Sequence, residues 1–145
     1  MDNIILVDSK NEILKLLETF SSSLYSLSSG QVNKEIMAEK LEKYAVVLKM
    51  EDDGQDIAFS AFYCNNMIQK IGFLTFIAIS PKYKRQGYGK KMLNEVILHC
   101  KENGMEKLAL EVRKENLGAI EFYKRFGFRI VSEKDLCYGM ELNLS

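Results

Sequence analysis

The chain has 145 residues, 47% hydrophobic and 28% charged, with 20 Lys and Arg against 20 Asp and Glu. This length and composition predict one globular domain over residues 1–145, with enough apolar sequence to bury a core. The net charge of zero argues against bulk affinity for nucleic acid or an anionic membrane surface, so any binding of an anion has to be local.

Three cysteines and one histidine limit the metal and redox chemistry. Cys64, Cys100 and Cys137 are too widely spaced for a zinc site or a disulfide framework, and their odd number indicates a reducing, cytoplasmic compartment. A metal site on His99 would have only carboxylates as further ligands, so no metal is predicted. The first residues, MDNIILVDSK, include only four consecutive apolar residues, which predicts neither a secretion signal nor a membrane span.

The first part of the chain predicts a short apolar start and two amphipathic helices, at 9–20 and 31–44, separated by a serine-rich join at 21–30. The apolar face of the first helix is formed by Ile13, Leu16, Leu17 and Phe20. That of the second is formed by Ile36, Met37, Leu41 and Tyr44. Ser9 stands where a helix cap is needed.

In the rest of the chain, segments with the apolar spacing of strands alternate with segments that have the apolar spacing of helices. Strands are predicted at 44–50, 56–64, 71–80 and 107–114, followed by two closing strands. Helices are predicted at 87–104 and 116–127. The third of these strands is apolar on both faces, which is typical of a central strand covered on each side. The order β-α-α-β-β-β-α-β-α-β-β predicts an α/β fold with a mixed central sheet and helices on both faces.

A basic loop with two glycines joins the third strand to the next helix. Its sequence, ISPKYKRQGYGKK at 79–91, has no acidic residue. Gly87 and Gly89 permit unusual backbone dihedrals and close approach of a ligand, and the helix start supplies unpaired N–H groups. The pattern predicts a phosphate or pyrophosphate site. A plain turn with a solvated basic face is the alternative, and Met92 occupies the third glycine position of a dinucleotide-binding motif.

Two motifs resemble the signatures of the GNAT superfamily, the GCN5-related N-acetyltransferases. The first, [QRK]-x-x-G-x-[GA] at a helix start, reads Lys84, Arg85, Gln86, Gly87, Tyr88 and Gly89. The second, Asn-x-x-Ala-x-x-x-Tyr before a Gly-Phe pair, reads Asn116, Ala119, Tyr123, Gly127 and Phe128. The resemblance covers 56–130, and it departs from the family pattern at Lys84, where Gln or Arg is commoner. It implies a single-domain GNAT-like fold.

The resemblance also implies a cofactor, acetyl-coenzyme A, and a place for it. The loop amides would bind its pyrophosphate. The pantetheine arm would lie between diverging strands at 71–80 and 107–113, bonded to the main chain around Ile77 to Ile79. The residues assigned to the cofactor in this way are Ile77, Ala78, Ile79, Lys84, Arg85, Gln86, Gly87, Tyr88, Gly89, Lys90, Asn116 and Tyr123.

Acetyl transfer from a thioester to an amine needs a neutral amine, and it needs stabilisation of the tetrahedral oxyanion and of the leaving thiolate. By resemblance Tyr123 points to the cofactor sulfur, although it shares a helical face with Ile120 and also suits a core position. Glu111 is the acid nearest the expected cleft and a candidate base acting through water, or else a structural strand residue. Asn116 is a helix cap as well as a candidate partner of the pantetheine arm.

The function predicted from these motifs is an acetyl-coenzyme A-dependent N-acetyltransferase, an acyltransferase, acting on the primary amine of a small molecule such as an amino sugar. A peptide N-acetyltransferase and a non-catalytic acyl-coenzyme A-binding module are the alternatives. Tyr63, Asn65 and Asn66 either line the acceptor pocket or form a polar turn. The sequence leaves open whether the protein is a monomer or a homodimer.

Overall fold

A computed structural model describes residues 4–24 and 32–145, and its strands and α-helices follow the predicted order. The strands are β1 Ile4–Val7, β2 Val46–Asp52, β3 Gln55–Tyr63, β4 Ile71–Ile79, β5 Lys107–Arg113, β6 Arg129–Lys134 and β7 Cys137–Asn143. The α-helices in the described ranges are α1 Lys10–Thr19, α2 Lys34–Tyr44, α3 Tyr88–Glu102 and α4 Leu117–Phe126. The predicted α/β fold with a mixed sheet is therefore confirmed.

The strands form one sheet in the order β1-β2-β3-β4-β5-β7-β6. Every neighbouring pair is antiparallel except β4 and β5, which run parallel in the middle of the sheet. A parallel pair requires a long crossover connection, and α3 supplies it. This topology brings the end of β4, the start of α3 and the start of α4 to one end of the sheet, where parallel strands of α/β folds commonly bind ligands.

Two hydrophobic cores form on the two faces of the sheet. On one face α1 and α2 bury Ile13, Leu16, Leu17 and Leu41 with Phe59 of β3 and Phe76 of β4. On the other face α3 and α4 bury a larger cluster over β2 to β5 and β7. The core residues contributed by these two helices are Met92, Leu93, Val96, Cys100, Ile120 and Tyr123. Both faces of the central strands are thus covered, as predicted.

The apolar stripe predicted for the second helix is partly wrong. The buried residues of α2 are Ala38 and Leu41, while Ile36 is 66% and Tyr44 53% exposed. Because α2 packs mainly on α1 and β2, its inner face is narrow, and a small alanine lies at the contact. Residues 21–23 of the serine-rich join form a short 3-10 turn, and 25–31 lie outside the described residues. In the described part of the chain, no helix is long and apolar enough to cross a membrane.

Lys49 of β2 lies among three carboxylates. Its Nζ is 2.7 Å from Glu51, 3.0 Å from Asp56 and 3.7 Å from Glu12. The side chains of Lys49 and Asp56 are only 11% and 6% exposed. Burial alone would lower the pKa of Lys49, but hydrogen bonds to Glu51 and Asp56 outweigh it and raise the pKa above its ordinary value. This ion cluster fastens β2 to the start of β3 and to α1.

We expect Lys49→Met to lower the free energy of unfolding by about 2 kcal/mol, because it leaves the Asp56 carboxylate buried without its cation. Urea unfolding at pH 7 measures the change. Because the folded pKa of Lys49 is raised, its contribution is complete below the unfolded value of about 10.4 and is lost only as the pH rises further. Lys107→Met is the matched control, since Lys107 makes one 3.7 Å contact with Glu141 and is 46% exposed. Equal losses in both variants would contradict the prediction.

Candidate functional site

The parallel strands β4 and β5 pair over only part of their length. The ladder runs from Ile71 opposite Lys107 to Leu74 opposite Leu110 and then stops. Beyond this point β4 continues to Ile79 along β3, and β5 continues to Arg113 along β7. The two strands therefore separate in the middle of the sheet, as the resemblance implies, and leave backbone edges that face each other across a gap.

A β-bulge at Thr75 accompanies this separation. Ala61 of β3 pairs with Phe76, but the next residue, Phe62, pairs with Leu74, so Thr75 is an extra residue in β4. As a result Leu74 packs under α3 and α4, whereas Phe76, two residues later, packs under α1 and α2. Bulges bend a strand and change the direction of its side chains, and they are common beside active sites.

A cleft of about 580 Å³ opens where β4 and β5 separate. Residues of both strands line it, and the start of α4, the β6–β7 turn and residues before and in α2 complete its wall. The lining residues are Ser23, Leu24, Met37, Phe73, Leu74, Thr75, Phe76, Ile77, Leu110, Glu111, Val112, Arg113, Asn116, Ala119, Tyr123, Leu136 and Cys137. The volume is in the range of small-molecule sites, about 300–1,000 Å³.

The basic glycine loop lies at the end of β4, between that strand and α3. Residues Pro81–Tyr83 form a 3-10 turn, and Arg85 and Gly87 have positive φ angles of 65° and 87°. The Tyr83 hydroxyl donates a 2.7 Å hydrogen bond to Asp52, which ties the loop to the β2–β3 hairpin. The positive φ at the start of α3 explains a glycine at position 87.

The start of α3 differs from the starts of the other described helices. Side chains of Ser9, Asn33 and Asn116 cap α1, α2 and α4, but no side chain caps α3, whose N-cap residue is Gly87. The N–H groups of the first turn are therefore left for another acceptor. Lys90 and Lys91 add positive charge there, and no acidic residue lies in the first turn. The arrangement suits an anion.

Tyr123 of α4 lines the cleft and is 8% exposed. Its ring packs on Phe122 and Phe128, with centroid distances of 5.5 Å in both cases. Burial raises the pKa of Tyr123 to about 12. The hydroxyl makes no hydrogen bond to another residue in the described ranges, so it is a protonated donor in the cleft wall that is available to a ligand.

Glu111 and Arg113 lie on β5 beyond the end of its pairing with β4, and both line the cleft. Glu111 is exposed and is the one carboxylate among the described lining residues. Arg113 forms an ion pair with Glu115, with a shortest N–O distance of 2.8 Å. The Glu111 carboxylate forms no ion pair within the described ranges and lies where the two strands have separated.

The predicted site residues do not all meet at the cleft. Ile77, Glu111, Asn116 and Tyr123 line it together, while the Ala78 side chain is buried under α1 and α2. Of the predicted loop residues, those with exposed side chains are Lys84, Arg85, Gln86 and Lys90.

The polar residues that follow β3 form a turn. The Asn66 side chain accepts hydrogen bonds from the amides of Ile68 and Gln69, and Asn65 donates to the Tyr44 carbonyl. A polar turn therefore accounts for both asparagines, and neither lines the cleft.

Several apolar residues of the cleft were not predicted from the sequence. Phe73 is 37% and Leu136 61% exposed; Leu136 lies in the β6–β7 turn, and Cys137 is the first residue of β7. The signal for the bulge was present but slight: Thr75 is the one polar residue in the strand sequence IGFLTFIAI. No local pattern marks Leu136 or Cys137, because the fold alone brings their hairpin to the cleft.

Comparisons of the sequence with known proteins indicate the family. The model of the Acetyltransferase (GNAT) family matches residues 11–128. N-alpha-acetyltransferase 50 of Danio rerio is 36% identical over 87 residues, which are 57% of this chain and 52% of that protein. The [ribosomal protein bS18]-alanine N-acetyltransferase of Escherichia coli K12 is 35% identical over 74 residues, 51% of this chain and 50% of that one. The chain thus spans about half the length of these curated relatives.

Solved structures share the fold over the whole chain. The crystal structure of the ribosomal-protein-S18-alanine N-acetyltransferase from Escherichia coli has a TM-score of 0.80 at 22% identity, covering 100% of this chain and 95% of that one. The PaiA N-acetyltransferase from Thermoplasma acidophilum, solved in complex with coenzyme A, has a TM-score of 0.73 at 18% identity and covers 97% of this chain and 99% of that one. The architecture described above is therefore that of experimentally known proteins.

Proposed function

Because the chain belongs to the GNAT family of acetyltransferases, we propose that it transfers an acetyl group from acetyl-coenzyme A to a primary amine. One observation carries the proposal: the cleft between the separated strands β4 and β5 lies next to the uncapped start of α3. Such a site accepts an extended chain along the strand edges and a pyrophosphate at the helix start. The structural relative solved with coenzyme A supports this choice of donor.

The pantetheine arm would bond to the main chain of β4 around Ile77, Ala78 and Ile79, on the edge that β5 leaves. The pyrophosphate would accept hydrogen bonds from amides of the loop from Lys84 to Gly89 and of the first turn of α3. Asn116 caps α4 through its side-chain oxygen, which accepts from the Ala119 amide at 3.2 Å. Its side-chain nitrogen is left to donate to the arm. Lys84, Arg85 and Lys90 contribute solvent-screened charge.

In the chemical step the amine nitrogen attacks the thioester carbonyl, the carbon–sulfur bond breaks, and the thiolate leaves. Tyr123 would donate a hydrogen bond to that sulfur. Glu111 would take up the proton that the amine has to lose, directly or through a water molecule. Only a neutral amine can attack, so an acceptor that is partly neutral already depends less on a base. The α-amine of a peptide, with a pKa of about 8, meets that condition better than a lysine-type amine at about 10.4.

We therefore infer that the acceptor is the α-amine of a polypeptide. The two curated relatives above are named as an N-alpha-acetyltransferase and as a [ribosomal protein bS18]-alanine N-acetyltransferase, which supports this acceptor. Apolar residues at the mouth of the cleft, Phe73 and Leu136, suit the side chain of a first residue. The small amine favoured by the sequence, such as an amino sugar, stays a prediction and forms one arm of the test.

Thiol release from acetyl-coenzyme A tests the proposal. The acceptors compared are lysine-free peptides with a free α-amine, N-formylated peptides that contain lysine, a polyamine and an amino sugar. We expect turnover with the free α-amine peptides, and a loss of about tenfold or more in kcat/KM for Glu111→Gln with the same peptide. Turnover confined to amino sugars or polyamines would overturn the peptide acceptor. Binding of acetyl-coenzyme A without turnover on any acceptor would indicate a non-catalytic acyl-coenzyme A-binding module.

Asn116 allows the structural and binding roles of one side chain to be separated. We expect Asn116→Asp to keep the free energy of unfolding, because aspartate also caps a helix, but to weaken acetyl-coenzyme A binding about fivefold by removing the amide donor. Asn116→Ala removes the cap as well and should cost about 1 kcal/mol in stability. Thermal unfolding and calorimetry measure the two effects. If Asn116→Asp binds acetyl-coenzyme A with unchanged affinity, Asn116 only caps the helix and does not bind the cofactor.

A further inference from the structure

The exposed part of the glycine loop, residues 84–87, is not fixed by its own backbone. All four of its residues are exposed. In the part of the chain that the structure describes, the amides of Arg85 and Gly87 donate no hydrogen bond to the backbone. Arg85 also has a positive φ of 65°, which is uncommon for a residue with a side chain. The position of these amides is therefore set by the residues that flank them.

Two tyrosines flank this exposed part and contact each other. Tyr83 ends the 3-10 turn that follows β4, and Tyr88 is the first residue of α3. Their rings meet edge to face, with centroids 5.9 Å apart. Both rings are partly buried against the core on the α3 and α4 face of the sheet. Residues 84–87 thus begin and end at one aromatic contact, which holds the two ends of the segment close together.

The Tyr83 hydroxyl connects this aromatic contact to the β2–β3 hairpin. It donates a 2.7 Å hydrogen bond to the carboxylate of Asp52, the last residue of β2. The two turn residues that follow, Asp53 and Gly54, have positive φ angles of 52° and 77°, as in the type I′ turn of tight hairpins. The ion cluster around Lys49 fastens the same hairpin to α1. Asp52 is therefore an acceptor with a fixed position.

Asp52 is an acid beside a loop that contains none. Near a site for phosphates, a carboxylate opposes the binding of an anion through its charge. Its hydrogen bond to Tyr83 gives this acid a different role. The same bond raises the pKa of Tyr83 above its ordinary value, so the hydroxyl stays protonated and remains a donor at neutral pH.

We propose that Tyr83 is a positioning residue for the binding of acetyl-coenzyme A. Its hydrogen bond to Asp52 and its ring contact with Tyr88 hold the loop amides where the pyrophosphate accepts hydrogen bonds from them. Tyr83 acts through the loop and does not itself contact the cofactor. The inference rests on the proposed function, because that function puts the pyrophosphate at this loop. It goes further by making the affinity for the cofactor depend on an acid in a separate hairpin.

Calorimetry with acetyl-coenzyme A tests the hydrogen bond between the loop and the hairpin. We expect Tyr83→Phe, which removes only the hydroxyl, to raise the Kd about fivefold. Asp52→Ala should raise it by the same factor. The double variant should also lose only about fivefold, because both changes remove the same interaction. Asp52→Asn keeps an oxygen that accepts from the Tyr83 hydroxyl, so its Kd should stay within about twofold of the original value.

Asp53→Asn is the matched control. It removes the same charge one residue away and leaves the hydrogen bond in place, and asparagine tolerates the positive φ of position 53. Loss of a negative charge near an anion site should by itself tighten binding slightly, so charge and positioning predict opposite signs for Asp52→Ala. We expect Asp53→Asn to bind acetyl-coenzyme A at least as tightly as the unchanged protein. Tighter binding by Asp52→Ala as well would overturn the inference.

Kinetics separate positioning from a purely structural role. With saturating acceptor, Tyr83→Phe should raise the KM for acetyl-coenzyme A about fivefold and keep kcat within about twofold, because Tyr83 contacts neither the thioester nor the amine. A lower unfolding temperature together with an unchanged KM would make the role structural and overturn the inference. Normal binding by a folded Tyr83→Phe would overturn the inference alone. Failure of the unchanged protein to bind acetyl-coenzyme A at all would overturn the proposed function together with it.

Discussion

Replacing Tyr123 by phenylalanine is expected to lower kcat about 100-fold and to leave the Kd of acetyl-coenzyme A nearly unchanged. Removal of one hydrogen-bond donor to charge that develops in the transition state costs about 10²–10³ in kcat. Tyr123 is 8% exposed, and its hydroxyl is the one atom that the change removes. The ring, which packs on Phe122 and Phe128, stays in place. The effect should therefore appear in the chemical step and not in binding or folding.

Tyr138→Phe is the matched control for this variant. Tyr138 is a half-buried tyrosine of β7 that packs against the same core and does not line the cleft. Single-turnover rates with saturating acetyl-coenzyme A compare the two variants, and thermal unfolding verifies that both are folded. Full activity of Tyr123→Phe would mean that the thiolate leaves without help from this side chain.

The pH dependence of the reaction follows from the same residue. Because burial raises the pKa of Tyr123 to about 12, the hydroxyl stays protonated well above the usual tyrosine value of about 10. We therefore expect that ionisation of Tyr123 causes no loss of kcat below about pH 11. A phenol of this pKa is a weaker acid than an alkyl thiol of about 8.5, so a hydrogen bond to the thiolate is favoured over complete proton transfer.

Much of the fold could be predicted because its signals are local. The period of the apolar residues marks the strands and helices, and α3 begins at Tyr88, one residue after the predicted start. The two sequence motifs place the glycine loop and Tyr123 at the same end of the sheet. The narrow inner face of α2 was not predicted, because it depends on packing against α1. Ala38 is buried in that contact, whereas the larger Ile36 is exposed.

The parts of the site that could not be predicted depend on contacts between distant elements. The bulge at Thr75 is defined by the register of β4 against β3, which no residue of β4 encodes alone. α4 turns Tyr123 to the cleft and Phe122 to the first turn of α3. From sequence, both residues belong to an apolar helix. Only the position of α4 beside Gly89 gives the two aromatic side chains different neighbours.

Replacing Gly89 by valine is expected to lower the affinity for acetyl-coenzyme A about 100-fold. The backbone at Gly89 has an ordinary φ, and a Cβ there would make only van der Waals contacts of 3.5–3.8 Å with Phe122 and Ile79. The protein itself therefore tolerates a side chain. The γ-methyl groups of valine, however, would fill the space between the end of β4 and α4, next to the proposed pyrophosphate site. Loss of about two charge-assisted hydrogen bonds to the phosphates corresponds to the expected factor.

Two further variants make this result specific. Gly89→Ala adds only the Cβ, so its affinity should fall much less than that of Gly89→Val. Gly118 occupies the same second position in α4, and a Cβ there would meet nothing within 4 Å. Gly118→Val should therefore bind acetyl-coenzyme A like the unchanged protein. All three variants should unfold at or above the original temperature, because glycine is the poorer helix former at each position. Normal acetyl-coenzyme A binding by a folded Gly89→Val would show that the pyrophosphate does not bind at the start of α3.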